Sequence, residues 1–166
     1  MLAWEEAVDE AVPRVGIGFD AHPWATDERP LWLGGVRFEG ERGLAGHSDG
    51  DAVCHAIADA LLGAAALGDV GDHFAESDPA IAGMSGTALL TATLELVRDT
   101  GRVVRSCDTT VICERPQIGP RRGDLTSHLA VALGVGVDAV SVKATRPEGL
   151  GLTGDGVGCM AVAVLA

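Results

Sequence analysis

The amino-acid sequence predicts an α+β fold in which a single sheet is covered by helices. Three observations carry this expectation. Helical and strand-like segments alternate along the chain. Neighbouring strand-like segments are in places joined by tight glycine turns. Hydrophobic residues make up 47% of 166 residues, enough for one domain with a core of its own and too many for a disordered chain.

The elements follow in order. Residues 1–12 read as a short acidic helix or a loose tail stopped at Pro13, so 1–13 form an N-terminal extension and 14–166 the domain. Residues 14–20 read as a strand leading to a loop at His22. Residues 31–38 read as two short strands around Gly34-Gly35, a hairpin signal. Residues 50–67 form an Ala- and Leu-rich helix capped by Asp49 or Asp51. Residues 68–79 read as a loop. A second helix runs from Ser85 to about Thr100, stopped by Gly101. Residues 103–113 form a long strand, 119–133 a third helix and 140–145 a strand. A glycine-rich turn then leads to a last strand, CMAVAVLA. That strand lacks the clean alternation of a solvent-facing edge, which predicts an oligomer closing over the sheet.

The formal net charge is −12, and the excess is local. Residues 1–83 carry 16 acidic and 4 basic side chains, whereas residues 84–166 carry 8 of each. This balance argues against nucleic acid as a partner, because such binding needs a basic face. No apolar run reaches the roughly 18 residues that span a bilayer, so no membrane partner is expected. The N-terminus lacks the pattern of a secretory signal. Cys54, Cys107, Cys113 and Cys159 form no CxxC pair, which fits buried thiols in a reducing cytoplasm.

Two patterns can carry chemistry. Asp20 and His22 are two apart at a strand end and share a face. Asp51, His55 and Asp59 fall at i, i+4 and i+8 on the first helix, one stripe of polar groups where a core-facing stripe should be apolar. Asp20, His22 and His55 could supply one oxygen and two nitrogen ligands to zinc, leaving a position for substrate. The alternative is that each histidine is satisfied by its own hydrogen bonds. The turn over 145–158 has glycines at 149, 151, 154, 156 and 158, and its backbone amides can cradle phosphate or simply join two strands.

The segments FDAH (19–22), GHSDGD (46–51), DALLGAAALGDVGDHF (59–74), SDP (77–79) and KAT..E.LG.TG.G.G (143–158) resemble the 2-C-methyl-D-erythritol 2,4-cyclodiphosphate synthase family in order and spacing. The resemblance implies an α+β homotrimer with active sites at the subunit interfaces. It implies an enzyme of the non-mevalonate isoprenoid pathway, a lyase that closes the 2,4-cyclodiphosphate and releases CMP. The substrate is 4-diphosphocytidyl-2-C-methyl-D-erythritol 2-phosphate, and each site holds zinc and a magnesium or manganese ion. Some members are fused to a cytidylyltransferase. By position, Asp20, His22 and His55 match the zinc ligands and Glu148 the acid at the second cation. His47 matches a residue supporting the transition state, with Ser48 beside it in the substrate loop. Asp59, Asp69 and Gly71 match the erythritol pocket, and Phe74, Glu76, Ser77 and Asp78 the loop closing over it. Cys113, Pro116, Gln117, Ile118, Thr145, Arg146 and Glu148 match the cytidine- and phosphate-binding segments.

Four places depart from the family pattern. TTTE reads TRPE, which puts Arg146 where a phosphate-contacting threonine is usual. APK reads RPQ, which puts Gln117 in place of a lysine. FPD reads FAE, giving Ala75 and Glu76. FTGRGEG reads LTGDGVG, with Leu152 and Asp155 at positions that the family places along the trimer axis. Asp155 there predicts weak binding of an isoprenoid diphosphate. These changes leave room for a catalytically weak paralogue that binds metal or nucleotide. A zinc hydrolase of another family would explain the D-x-H pair but not the matching blocks.

Overall fold

The computed structural model describes residues 12–75, 77–79, 81–151, 153 and 155–166. Six strands and four helices follow one another as β1 (Arg14–Pro23), β2 (Pro30–Leu33), β3 (Val36–Arg42), α1 (Ala52–Ala65), α2 (Val70–His73), α3 (Gly86–Asp99), β4 (Val104–Ile112), α4 (Arg122–Leu133), β5 (Val140–Thr145) and β6 (Gly156–Leu165). The main sheet has the order β1-β6-β4-β5. Its first two pairings are antiparallel and β4–β5 is parallel. The sheet is therefore mixed, and β6 is an interior strand, not an edge. Its side chains do alternate: Ala161, Ala163 and Leu165 are fully buried, while Met160 is exposed on the opposite face.

The hairpin departs from the single-sheet expectation, because β2 and β3 form a separate two-stranded sheet. Gly34 and Gly35 turn it with φ of 57° and 72°. Both residues at positive φ give the mirror-image turn that matches strand twist. The segment expected as a loop over 68–79 contains the single-turn helix α2. Asp69 caps it, and the Asp69 and Asp72 side chains exchange bonds with each other's backbone amides. The predicted tail over 1–12 falls almost wholly outside the described residues.

Helix α1 is buried on nearly every side, as a helix that is rich in Ala and Leu outside its one polar stripe should be. It packs between the sheet and α3. Its approach to β1 is unusually close because of two glycines. A Cβ on Gly16 would stand 1.9 Å from the Ala60 carbonyl oxygen, and one on Gly18 2.0 Å from that of Ala56. Strand backbone therefore rests directly on helix backbone. Gly16, Gly18, Asp20 and His22 alternate onto this one face of β1, so the close approach that the glycines allow also carries the last two toward α1.

Candidate active site

β1 runs to Pro23 and holds His22 in the strand, two residues beyond Asp20. His55 projects from the first turn of α1. Their donor atoms converge: His22 Nε2 is 2.8 Å from Asp20 Oδ2, His55 Nδ1 is 3.2 Å from the same oxygen, and the two ring nitrogens are 3.2 Å apart. Among the described residues this is the one group of three or more potential ligands close enough to share an ion. Asp20 Oδ2 is buried, and although both imidazoles crowd it, neither meets it with the geometry of a hydrogen bond. An ion would satisfy that oxygen and the two nitrogens at once. One carboxylate and two imidazoles, with room left for a further ligand, suit zinc.

The electrostatics agree. Burial pushes the Asp20 carboxyl up, but the two histidines outweigh it and hold it well below the usual carboxylate range. Burial pushes His22 down, yet Asp20 outweighs it and raises the imidazole above its usual 6.5. The cluster thus keeps its carboxylate ionised and draws positive charge.

A cavity of about 210 Å³ opens over the cluster. Of the residues singled out in the sequence, Asp20, His22, His47, Ser48, His55, Asp59, Gly71 and Phe74 line it. Val70, Ile81 and Leu89 complete its wall and were not anticipated. Their only sequence signal is apolar character next to the polar blocks.

The HSDGD segment explains itself residue by residue. His47 and Ser48 face the cavity. Asp49 accepts from the Gly86 amide at 2.9 Å, tying the loop to the start of α3. Gly50, at φ 72°, passes so close to Leu44 that a Cβ would meet its carbonyl at 2.9 Å. Asp51 is fully buried and caps α1 through the Val53 and Cys54 amides. It also accepts from the Gly34 and Gly35 amides, each at 2.7 Å. The polar stripe on α1 is thereby accounted for: Asp51 is a structural clamp, His55 joins the cluster, and Asp59 accepts from Val70 N at 2.8 Å to hold α2 at the cavity rim.

A second cavity, of about 310 Å³, gathers Cys113, Pro116, Gln117, Ile118, Thr145 and Arg146. Glu114, within the segment 113–119 that the resemblance assigns to cytidine and phosphate binding, also lines it, as does Arg122, which was not singled out. It lies between the loop after β4 and the end of β5. No described residue lines both this cavity and the one over the cluster.

Other positions fall elsewhere. Asp69 caps α2 and lines neither cavity. Ser77 and Asp78 sit in exposed turns, with the Asp78 amide donating to Ala75 O at 2.9 Å. Glu148 is exposed at φ 51° and lines neither cavity. Asp155 lines a separate cavity of about 200 Å³ with Trp24, Glu114, Arg115 and Thr153. Glu76 and Leu152 lie outside the described residues. The four cysteines are free and buried. No helix among the described residues is long and apolar enough to cross a membrane.

The YgbB family matches residues 13–166. A bifunctional enzyme IspD/IspF of Erythrobacter litoralis is 48% identical over 160 residues, covering 96% of this chain and 41% of the relative. The 2-C-methyl-D-erythritol 2,4-cyclodiphosphate synthase of Trichlorobacter lovleyi is 47% identical over 152 residues, covering 92% of this chain and 96% of the relative. The chain thus spans about two-fifths of its bifunctional relatives and nearly the whole of this shorter one. Among solved structures, bifunctional IspDF from Campylobacter jejuni superimposes with a TM-score of 0.87 at 33% identity, over 93% of this chain and 42% of that one. A 2C-methyl-D-erythritol-2,4-cyclodiphosphate synthase bound to CDP superimposes with a TM-score of 0.84 at 33% identity, over 92% of this chain and 100% of that one.

Proposed function

The chain belongs to the YgbB family, and from that premise we propose that it converts 4-diphosphocytidyl-2-C-methyl-D-erythritol 2-phosphate to the 2,4-cyclodiphosphate and CMP. The observation that carries this reading is the convergence of Asp20, His22 and His55 beneath a cavity lined by His47, Ser48 and Asp59. In the reaction an oxygen of the 2-phosphate attacks the β-phosphorus of the same molecule. The bond from that phosphorus to the bridging oxygen breaks, and CMP leaves with the electron pair. Nucleophile and target are tethered, so alignment replaces an encounter. The attacking phosphate is already ionised, and the chain need supply no nucleophile.

What the chain supplies is position and charge. Asp20, His22 and His55 would hold zinc, which supplies a Lewis acid for a phosphate oxygen. Asp59 and the Gly71 backbone offer partners for the erythritol hydroxyls. Phe74, Ile81 and Leu89 give the cavity an apolar wall that excludes water. His47 and the Ser48 hydroxyl face the reacting phosphates. In the second cavity, Arg146 offers the leaving CMP a charged planar fork. Glu148 would hold magnesium or manganese, an ion that takes one or two carboxylates and completes its shell with phosphate and water.

The substrate has to reach both the ion and the cytidine site, yet the two cavities share no residue in one chain. A site completed by a neighbouring copy resolves this. The open face of the sheet supports a homotrimer: Val15, Ile17, Phe19 and Met160 are 65%, 67%, 48% and 43% exposed there. Phosphorus NMR of the products from the cytidyl substrate tests the reading. The cyclic diphosphate with stoichiometric CMP is expected; hydrolysis products or unchanged substrate would overturn it. Light scattering at micromolar concentration should give the mass of three chains.

A further inference from the structure

Arg29 has no part in the site so far described, yet it grips the loop that carries His47 and Ser48. Its Nη1 donates to the Gly46 carbonyl at 3.0 Å and, more weakly, to those of Leu44 and Ser48 at 3.5 Å. Its Nε and Nη2 donate to the two oxygens of Asp27 at 2.9 and 3.0 Å. The arginine stem packs on Gly43, where a Cβ would come within 2.6 Å of Arg29 Cγ. Gly43 N in turn donates to Arg29 O at 3.0 Å. A planar fork can bind a carboxylate along one edge and carbonyls along another, which a single ammonium group cannot do in the same place.

The other side of this loop faces the cluster. Ser48 Oγ lies 3.3 Å from His55 Nε2 and accepts from Gly50 N at 3.1 Å. His55 turns Nδ1 toward Asp20 and His22. A neutral ring ligating through Nδ1 carries its proton on Nε2 and donates it to Ser48 Oγ. The serine oxygen then accepts twice, and its own proton is left to donate into the cavity.

We propose that Arg29 is a positioning residue: by gripping the backbone of residues 44–48 it sets Ser48 Oγ against the outer nitrogen of His55 and so orients that ring toward the metal. Arg29 acts through the loop and is not among the residues that line the cavity over the cluster. The proposal rests on the reading of Asp20, His22 and His55 as a metal site. It extends the site outward by two steps, from ligand to serine to arginine.

Cobalt(II) is the probe, because its visible spectrum reports the ligand field without need of turnover. Metal-free full chain is titrated with cobalt, with circular dichroism as the check on folding. Relative to wild type, Arg29→Ala should bind cobalt about 10- to 100-fold more weakly, the range for losing an outer partner of a metal ligand. Its absorption bands should shift. Arg29→Lys should recover part of the loss, and Asp27→Asn, which frees the fork without removing it, should give a smaller loss. Ser48→Ala should match Arg29→Ala, and the double variant should be no worse than either. If Arg29→Ala does not fold, Arg29→Lys and Asp27→Asn decide, and wild-type affinity and spectra in both overturn the proposal. Arg29→Ala that folds and binds as wild type overturns it alone. Wild-type protein that takes up no cobalt overturns the metal site and this inference together.

Discussion

The cavity over the Asp20 cluster and the cavity beside Arg146 are built in opposite ways. The first rests on a strand and a helix pressed backbone to backbone, and the HSDGD segment ties its rim to α1, α3 and the hairpin. The second is framed by the loop over 113–118, the 3-10 turn Gly119–Arg121 and the exposed end of β5. The resemblance finds its expected metal ligands at the cluster, whereas the departures it marks at Gln117 and Arg146 both line the second cavity. A ligand set on regular elements fixes distances that one ion must share, so a change there is costly. A loop pocket asks only that positive charge be somewhere near a phosphate, so the charge can move.

The hardest test of this contrast is the cluster itself. His55→Ala removes one of the three proposed ligands, and the loss of activity should exceed the roughly 10- to 100-fold that follows from losing an outer partner. The fold should survive, because Asp51 and not His55 clamps the helix start. Elemental analysis should find far less than one zinc per chain. A full complement of zinc in the purified variant would show the ligand assignment to be wrong.

The seat of the cluster should be nearly as intolerant. Gly18→Ala places a methyl group 2.0 Å from the Ala56 carbonyl, against backbone that cannot swing aside. Overpacking of this kind costs about 1–3 kcal/mol. That corresponds to a fall in melting temperature of roughly 2–4 °C per kcal/mol for a chain of this size. Because α1 must lift from β1, zinc affinity should fall as well. An unchanged melting temperature would mean that the strand and helix are not held together as described.

Gly16 and Gly18 also mark the limit of what the sequence reveals. Asp20, His22 and His55 were legible because strand and helix periodicities place them on shared faces. The glycines' part in bringing those faces together was not, since a glycine in a strand carries no label for what lies opposite. The hairpin turn was legible from Gly34-Gly35, but its separation from the main sheet was not, because strand order depends on long-range pairing. The loop over 68–79 hid α2, whose one turn is too short to show a helical period. Its cap, Asp69, has the chemistry of a sugar ligand and of a helix cap alike, and only the structure shows which amides it meets.

Acidity should separate the loaded and empty forms of the cluster. His22 is raised above 6.5 in the empty site by Asp20, and the ion needs the neutral ring. Metal affinity should therefore be full above the raised value. As pH falls through it the affinity should drop, approaching about tenfold per unit for one displaced proton. The empty protein should respond the other way. A histidine whose folded value is raised stabilises the fold below the unfolded value, and that contribution is lost as pH rises through the folded one. Asp20, held low, stays ionised throughout this window and adds no slope. The gap in melting temperature between zinc-loaded and zinc-free protein should be smallest below 6.5, widen as pH rises through the raised His22 value, and level off above it. A constant gap would remove His22 from the ligand set.

The smallest effect is expected in the second cavity, on the proposal that Arg146 supplies the positive charge that Gln117 lacks. Gln117 and Arg146 line one cavity, so a lysine at 117 and an arginine at 146 can serve the same phosphate. Arg122 stands on that cavity too and softens the loss of either partner. Arg146→Ala should lower kcat/KM by about tenfold, the worth of one charge-assisted bond of about 1.5 kcal/mol. Gln117→Ala should cost less, since it removes no charge. Arg146→Thr restores the family's residue but leaves the cavity one cation short, and Gln117→Lys added to it should recover several-fold in kcat/KM. The coupling in this double-mutant cycle should fall between about 0.5 and 3 kcal/mol, as for residues that share a partner. Additive behaviour would mean that Arg146 and position 117 serve different groups of the substrate, and that the two departures arose independently.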